Sequence, residues 1–521
     1  MSENKCDRSF NLIDEPWIPV VDLNLQQRKV GLRELFESMD RIFDLATLPL
    51  ERISIMRLLQ CIAYASCPEG TQWQTHKQAL KDNAVVYLDK WRDSFWLHDA
   101  ERPFLQIPDI TSDKGTAFAK LNMSTSAAGA NALLSDHFGE EATFTDARLA
   151  LALLSFQNFA LGGRSSTAVW AGEKSPKNGS AEDAPCCPSS MAHTFIRTAN
   201  LLESLKINLP PLEAYRFDYP GTTDWIGRPI WEQMPRSLND IKAVENATRT
   251  FVGRLVPLSR AVLLRENDAL LGEALRYPRF GIDNFSPEPS STIKKIKKKD
   301  EETQALLGLS SEKAAWRELH AILSASENGN ARGPKPLQYL DSETFDSTCE
   351  VLVCGIIRDQ AKIIDVVESA YPINHHLLSD VGRADYERGV QIADQVAGIL
   401  KYAAFEYARC LSDRKGSKDK NGNLIPFNKV KQSDKADIEQ AVIPPYWNSV
   451  PKHLDALFQW AMAESDEEAQ ENRKRWCSHL CDTALQVFDE YCTLGGFKEI
   501  KGYTKGRRIL NATKIKLMED Q

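Results

Sequence analysis

Histidine is scarce in this chain, nine in 521 residues, and the usual catalytic signatures are missing. There is no Walker A loop, no dinucleotide-type glycine turn, no Gly-x-Ser-x-Gly elbow and no His-Glu-x-x-His. Phosphate-cradling, hydrolase and metalloprotease chemistries therefore have no starting motif. No internal repeat of roughly 20–50 residues is visible, which removes solenoids and propellers. Long apolar runs are lacking too. Leu149–Leu154 and Val351–Val353 fall far short of the ~20 residues that cross a bilayer. The opening Met1–Arg8 carries no apolar export core. The eleven cysteines, odd in number and without framework spacing, suit reduced thiols. A cytoplasmic protein with no membrane association is expected.

A basic excess is also absent. The net charge is −8, which argues against a protein that coats nucleic acid by itself, since phosphate contacts supply most non-specific affinity. Positive charge is instead concentrated in three places: Lys294, Lys295 and Lys297–Lys299; Arg414 to Lys435; and the tail from Lys498 to Lys516, which includes Lys505, Arg507 and Arg508. Such runs are commonly solvated faces. They also suit a subunit that touches nucleic acid at a few points and partner proteins elsewhere.

At this length at least two domains are expected, because single cores stop growing near ~250–300 residues. Up to about residue 375 the signals are mixed. β-rich pieces (Trp17–Val21, Ala84–Leu88, Val351–Cys354) alternate with helical stretches (Leu32–Met39, Ile53–Ala65, Ala147–Ala160). Segments 164–191 and 282–304, rich in Gly, Ser, Pro and Lys, read as long surface loops. Beyond that point the character changes. Ile392, Val396, Ile399, Leu400, Ala403 and Tyr407 line one helical face, as do Leu454, Leu457, Phe458, Ala461 and Met462, and then Trp476, Leu480, Ala484, Phe488 and Tyr491. Asp413–Asp434 is polar and reads as a flexible crossover. The fold class expected is α+β, with an irregular mixed α/β domain over 1–375 and a four-helix-type bundle over 376–521.

Candidate chemistry is thin. Cys477, His479 and Cys481 fall within about one helical turn, yet no second Cys/His pair stands at finger spacing, and they sit in an amphipathic run where buried helix cysteines are expected. Cys186-Cys187 are adjacent and precede proline, which is no ligand spacing. His375-His376 read as the opening of the bundle. His98-Asp99 is the one pair that hints at a metal-dependent nuclease or phosphohydrolase. The plainer reading is a histidine beside a turn-forming aspartate at a strand end. Gly162-Gly163-Arg164, just past the helical stretch Ala147–Ala160, reads on its own as a helix C-cap.

Several blocks, taken in order, resemble a known family. Phe10-Asn-Leu-Ile-Asp-Glu-Pro-Trp-Ile-Pro-Val20, Asp99-Ala-Glu-Arg-Pro-Phe-Leu-Gln106, His193-Thr-Phe-Ile-Arg197 with Asn200–Leu205, and the stretch bearing Trp225 and Trp231 are similar to segments of the CasA (Cse1) family. That family is the large subunit of the type I-E CRISPR complex Cascade. The helical C-terminal quarter extends the likeness over nearly the whole chain.

The resemblance implies a non-catalytic binding subunit without cofactor or metal. Its partners would be other Cascade subunits with their guide RNA, double-stranded target DNA, and the separate helicase–nuclease. In such complexes base pairing reads the target while protein reads a short flanking motif, the PAM. By resemblance, Asp359, Gln360 and Ala361 form a wedge that enters the base stack beside the PAM, following a short strand Val351–Ile357. Relatives carry Asn where this chain has Asp359, and an ionised Asp only accepts hydrogen bonds. Gly162, Gly163 and Arg164 map to a glycine loop that approaches the minor groove. Arg276 or Arg279 maps to a basic finger. Asn131, Leu133 and Leu134 map to a loop that anchors the subunit on the guide-RNA handle, though without the aromatic residue of relatives. Lys505, Arg507 and Arg508 would hold the displaced strand. Two rivals remain: a nuclease built on His98 and Asp99, and a scaffold subunit with no DNA contact.

Overall fold

Trp17 is fully buried and its indole N–H donates to the Leu12 carbonyl at 2.8 Å, which ties the residue leading into the strand Ile18–Asp22 to the turn before it. In the computed structural model the described residues are 8–519, without 113–114, 124–143, 165, 176–179, 220–222, 282–287, 299–300, 325–329, 341–348, 361, 412–419 and 423–431. They form two compact units that meet in sequence at Pro372/Ile373. The first mixes helix and strand and the second is helical, so the fold class is α+β.

In the first unit, Ile18–Asp22 is the centre of a three-stranded antiparallel sheet between Gln27–Val30 and Ile42–Leu45. The helix Pro49–Ala65 runs through the core with every residue from Leu50 to Tyr64 buried. Proline at its first turn and Glu51, which accepts from the Leu48 amide, start it cleanly. This helix carries Arg57, fully buried and ion-paired with Glu288; Arg57 also donates to Asn158 Oδ1 and to the Arg254 and Leu255 carbonyls. A buried charge survives only when paired and hydrogen-bonded in this way.

Three expectations need correcting. Ala84–Leu88 is not a strand but part of the helix Leu80–Lys90, whose buried residues Leu80, Ala84, Tyr87 and Leu88 repeat at the helical period. The segment 282–304 is not all loop. Ile293–Lys298 pairs with Glu301–Leu306, the register setting Lys297 opposite Glu302 and Lys298 opposite Glu301, so Lys294, Lys295, Lys297 and Lys298 lie along a strand. The segment 164–191 contains the short strands Ala168–Trp170, Glu173–Lys174 and Ser180–Ala181, and it buries both Cys186 and Cys187.

The second unit is built from the helices Asp380–Leu411, Gln432–Ser449, Leu454–Ala461, Asp466–Tyr491 and Phe497–Glu519. Ile392, Val396, Leu400, Ala403 and Tyr407 are buried, as are Trp476, Leu480, Ala484 and Phe488. Gly389 admits the Trp476 indole, which donates to its carbonyl at 3.0 Å; a Cβ there would lie 2.2 Å from Leu457 Cδ1. The helix Gln432–Ser449 begins inside the polar stretch Asp413–Asp434, earlier than expected.

Candidate nucleic-acid interface

The proposed wedge stands at the end of a long hairpin. Glu350–Asp359 pairs antiparallel with Lys362–Pro372 on one edge and with His193–Arg197 on the other. Val351–Ile357 is a continuous apolar run, and the strand is buried throughout it, so both faces are covered. Exposure begins only at the tip, where Asp359 and Gln360 reach solvent. Asp359 is the partner of Lys362, and Gln360 follows it at the tip. Ala361 lies outside the described residues. Gln360 adopts φ +51°, the left-handed region that two-residue hairpin turns require and that residues with a side chain enter at a cost of about 1–2 kcal/mol. The expected short strand Val351–Ile357 is thus one arm of a ten-residue strand in a hairpin. The second arm went unread because Gln-Ala is a poor turn signal. The β-branched run Ile363-Ile364-Asp365-Val366-Val367 was the clue available.

The register slips between Ile357 and Arg358, so Ile364 on the returning strand Lys362–Pro372 is extra at that point and the hairpin bends just before its tip. Arg358 uses this bend to reach Asp183. Its Nη1 donates to Asp183 Oδ1 at 2.8 Å and its Nη2 to Oδ2 at 2.5 Å, a two-point fork. Burial by itself would raise the Asp183 carboxyl, but Arg358 and the amides of Gly162 and Ser189 outweigh it and hold the group below its ordinary value.

The glycine segment is tied to the same carboxylate. The helix Asp146–Phe159 ends at Ala160, whose φ −56° and ψ 119° are not a left-handed cap, so the C-cap reading of Gly162-Gly163 is corrected. Gly162 instead donates its N–H to Asp183 Oδ1 at 2.7 Å. Gly163 has φ +147°, where a side chain is rarely tolerated, and Gly163–Arg164 pairs with Ser180–Ala181. Arg260 Nη2 closes the arrangement by donating to the Leu161 and Glu182 carbonyls at 2.6 and 3.0 Å. Asp183 therefore joins two segments that the sequence reading kept separate. Nothing in its Ser- and Gly-rich surroundings singled it out.

The other candidates are less connected. Arg276 and Arg279 are exposed on the segment after the strand Ala269–Glu273; Arg276 lies 3.7 Å from Glu273 and donates to Asn239 Oδ1 at 3.4 Å. Tyr277 between them is buried and donates to the Leu258 carbonyl at 3.0 Å, which pins the segment. Asn131, Leu133 and Leu134 lie outside the described residues. In the second unit, Lys505 is ion-paired with the buried Glu406, and Arg507 lies 3.6 Å from Asp489 and donates to Tyr503 at 2.9 Å. Arg508 is exposed. Two of these three cations are thus partly spent within the bundle.

His98 and Asp99 serve different partners. His98 Nε2 lies 2.9 Å from Asp146 Oδ1, while Asp99 accepts from the Glu101 and Arg102 amides and pairs with Arg8 at 2.5 Å. Cys477 and Cys481 are buried in their helix, and His479 stacks on His453 with centroids 4.2 Å apart. Among the described residues no group of three or more His, Cys, Asp or Glu side chains is placed to hold a metal ion. No helix among them is long and apolar enough to cross a membrane.

Comparison with known proteins covers nearly the whole chain. Residues 11–487 match the family of the CRISPR-associated protein Cse1. A curated relative from Thermus thermophilus, the CRISPR-associated protein CasA/Cse1, is 28% identical over 506 residues, spanning 92% of this chain and 91% of its own length. Among solved structures, Thermobifida fusca Cse1 superposes with a TM-score of 0.75 at 18% identity, covering 98% of both chains. A chain of a CRISPR RNA-guided surveillance complex superposes with a TM-score of 0.69 at 18% identity, covering 98% of this chain and 100% of its own.

Proposed function

This chain belongs to the Cse1 family of CRISPR-associated proteins, and from that membership we propose that it is the non-catalytic large subunit of an RNA-guided surveillance complex of type I-E. In this reading it recognises the PAM in duplex DNA, opens the first base pairs, and offers a surface to the helicase–nuclease. The guide RNA then reads the target by pairing. The observation that carries the reading is Gln360. It is an exposed, non-glycine residue in a left-handed conformation, set at the tip of a strand whose base is buried on both faces. Strain of this kind persists where surrounding structure over-determines it, and it gathers at functional sites. A stiff arm with an exposed side chain at its end suits insertion between base steps, which costs a few kcal/mol per step.

The remaining residues take supporting roles. Gly162 and Gly163 let backbone approach the minor groove, with Arg164 beside them. Arg276 or Arg279 serves as the basic finger, and Arg508 leads a patch with Lys505 and Arg507 that holds the displaced strand. Asn131, Leu133 and Leu134 anchor the chain on the guide-RNA handle. No cofactor or metal is needed, and the partners are the other subunits with guide RNA and the target duplex.

The test is reconstitution with and without this chain, using 2-aminopurine beside the PAM to report base unstacking. Rapid unstacking that requires the chain supports the reading. Unstacking at the same rate without it refutes the wedge. DNA cleavage by the isolated chain with Mg²⁺ or Mn²⁺, abolished by His98→Ala, would refute the non-catalytic assignment.

A further inference from the structure

We propose that Asp183 is a positioning residue that couples the glycine segment to the wedge hairpin, so that groove approach and base insertion act as one rigid unit; this rests on the wedge reading given above. Three of the four hydrogen bonds to its carboxylate come from those two segments, and the fourth from Ser189 in its own loop. Oδ1 receives Gly162 N–H at 2.7 Å and Arg358 Nη1 at 2.8 Å; Oδ2 receives Arg358 Nη2 at 2.5 Å and Ser189 N–H at 3.2 Å. The pair is sheltered, with side-chain exposures of 13% for Arg358 and 20% for Asp183, so salt screens it little. Arg358 is also the residue at which the hairpin register slips, two positions from Gln360. A bend there aims the tip, and the guanidinium fork fixes the bend. Ser190 Oγ adds a contact by accepting from the Arg358 amide at 3.3 Å.

On the other side, the Arg260 guanidinium holds the Leu161 and Glu182 carbonyls, so the two stretches that meet at Asp183 are clamped one residue before Gly162 and one residue before Asp183. Arg260 is itself buried, which makes this clamp a fixed part of the core. The placement of the glycine segment is then tied to that of Arg358 through a single carboxylate. Asn at this position keeps the shape and one acceptor for Gly162, but it lacks the charge that holds the guanidinium and has only one acceptor oxygen.

The experiment compares complexes carrying Asp183→Asn, Arg358→Gln, both together, Arg358→Lys and Gln360→Gly, assembled with guide RNA. The readout is the rate of base opening on a fully paired target and on one with a pre-opened bubble beside the PAM. Asp183→Asn and Arg358→Gln are each expected to slow opening of the paired target about tenfold, with the bubbled target within about twofold. The double variant is expected to be no slower than either single one, because both break the same joint. Arg358→Lys, which keeps the charge without the fork, falls between. Equal losses on both targets would mean that Asp183 merely supports the fold, additive losses that the two residues act separately, and unchanged rates that no joint exists; each overturns the proposal. If Asp183→Asn prevents assembly, Arg358→Lys and Arg358→Gln alone decide it by the same criterion. A normal rate for Gln360→Gly on the paired target sinks the wedge reading itself. A slow Gln360→Gly beside a normal Asp183→Asn sinks only the joint.

Discussion

Asp359 and Lys362 face each other as the last paired residues of the hairpin, so the tip carries one charge of each sign immediately behind Gln360. The carboxylate repels phosphates and only accepts hydrogen bonds, while Lys362 offsets its charge. Asp359→Asn leaves the tip with a net positive charge. Affinity of the assembled complex for all duplexes is expected to rise about two- to fivefold, as one lost repulsion of a few tenths of a kcal/mol to about 1 kcal/mol implies. Titration against duplexes with and without the PAM checks this; a fall in affinity for both would show that Asp359 makes a needed contact.

The tail residues separate into two kinds. Lys505 is held by Glu406, which is buried, whereas Arg508 is exposed. Lys505→Glu would set two carboxylates against each other and is expected to lower the melting temperature of the chain. Arg508→Glu is expected to leave melting unchanged, to weaken binding to every target by a similar factor, and to reduce its salt dependence. A change of PAM preference in Arg508→Glu would make it a base reader and contradict its place in the displaced-strand patch.

Acid sensitivity should have a traceable source in the core. His193 is fully buried beside Glu288, with Nδ1 at 3.2 Å from Ser290 Oγ and Nε2 without a hydrogen-bond partner. Burial pushes its pKa down to about 3, the neighbouring Glu288 opposing and Arg57 assisting. The unfolded chain takes up this proton below pH ~6.5 while the folded chain refuses it, so stability is intact above that pH and lost as pH falls toward 3. Glu288, whose own pKa is lowered against burial by Arg57, loses its contribution only at lower pH. Between pH 6.5 and 5, His193→Gln is expected to flatten the stability profile, by about 0.7 kcal/mol per pH unit at pH 6.5 rising to about 1.4 near pH 5, seen in denaturant titrations. An unchanged slope would mean that His193 is protonated in the fold.

How far the sequence could be read depended on what each signal measures. Helical faces such as Ile392–Tyr407 and Trp476–Phe488 were legible, because a 3.6-residue apolar period survives whatever the helix packs against. Ala84–Leu88 misled because Val85, Val86 and Tyr87 favour strands locally, while burial of Leu80, Ala84, Tyr87 and Leu88 decided for helix. The hairpin tip was legible only as a matched segment, since Gln360-Ala361 lacks the Asn-Gly chemistry that advertises a two-residue turn. Asp183 was invisible. The two partners that give it its place, Gly162 and Arg358, lie 21 and 175 residues away, and no local pattern reports contacts over that range.

The most direct test of the wedge is the opening rate of Gln360→Gly on paired and on bubbled targets. Glycine removes the inserted side chain and also relieves the left-handed strain, so the melting temperature of the chain is not expected to fall. PAM encounter should persist, opening of the paired target should slow about tenfold for ~1.4 kcal/mol of lost stabilisation, and the bubbled target should be nearly normal because its unstacking is already done. Equal slowing on both targets, or none on the paired one, would contradict the account.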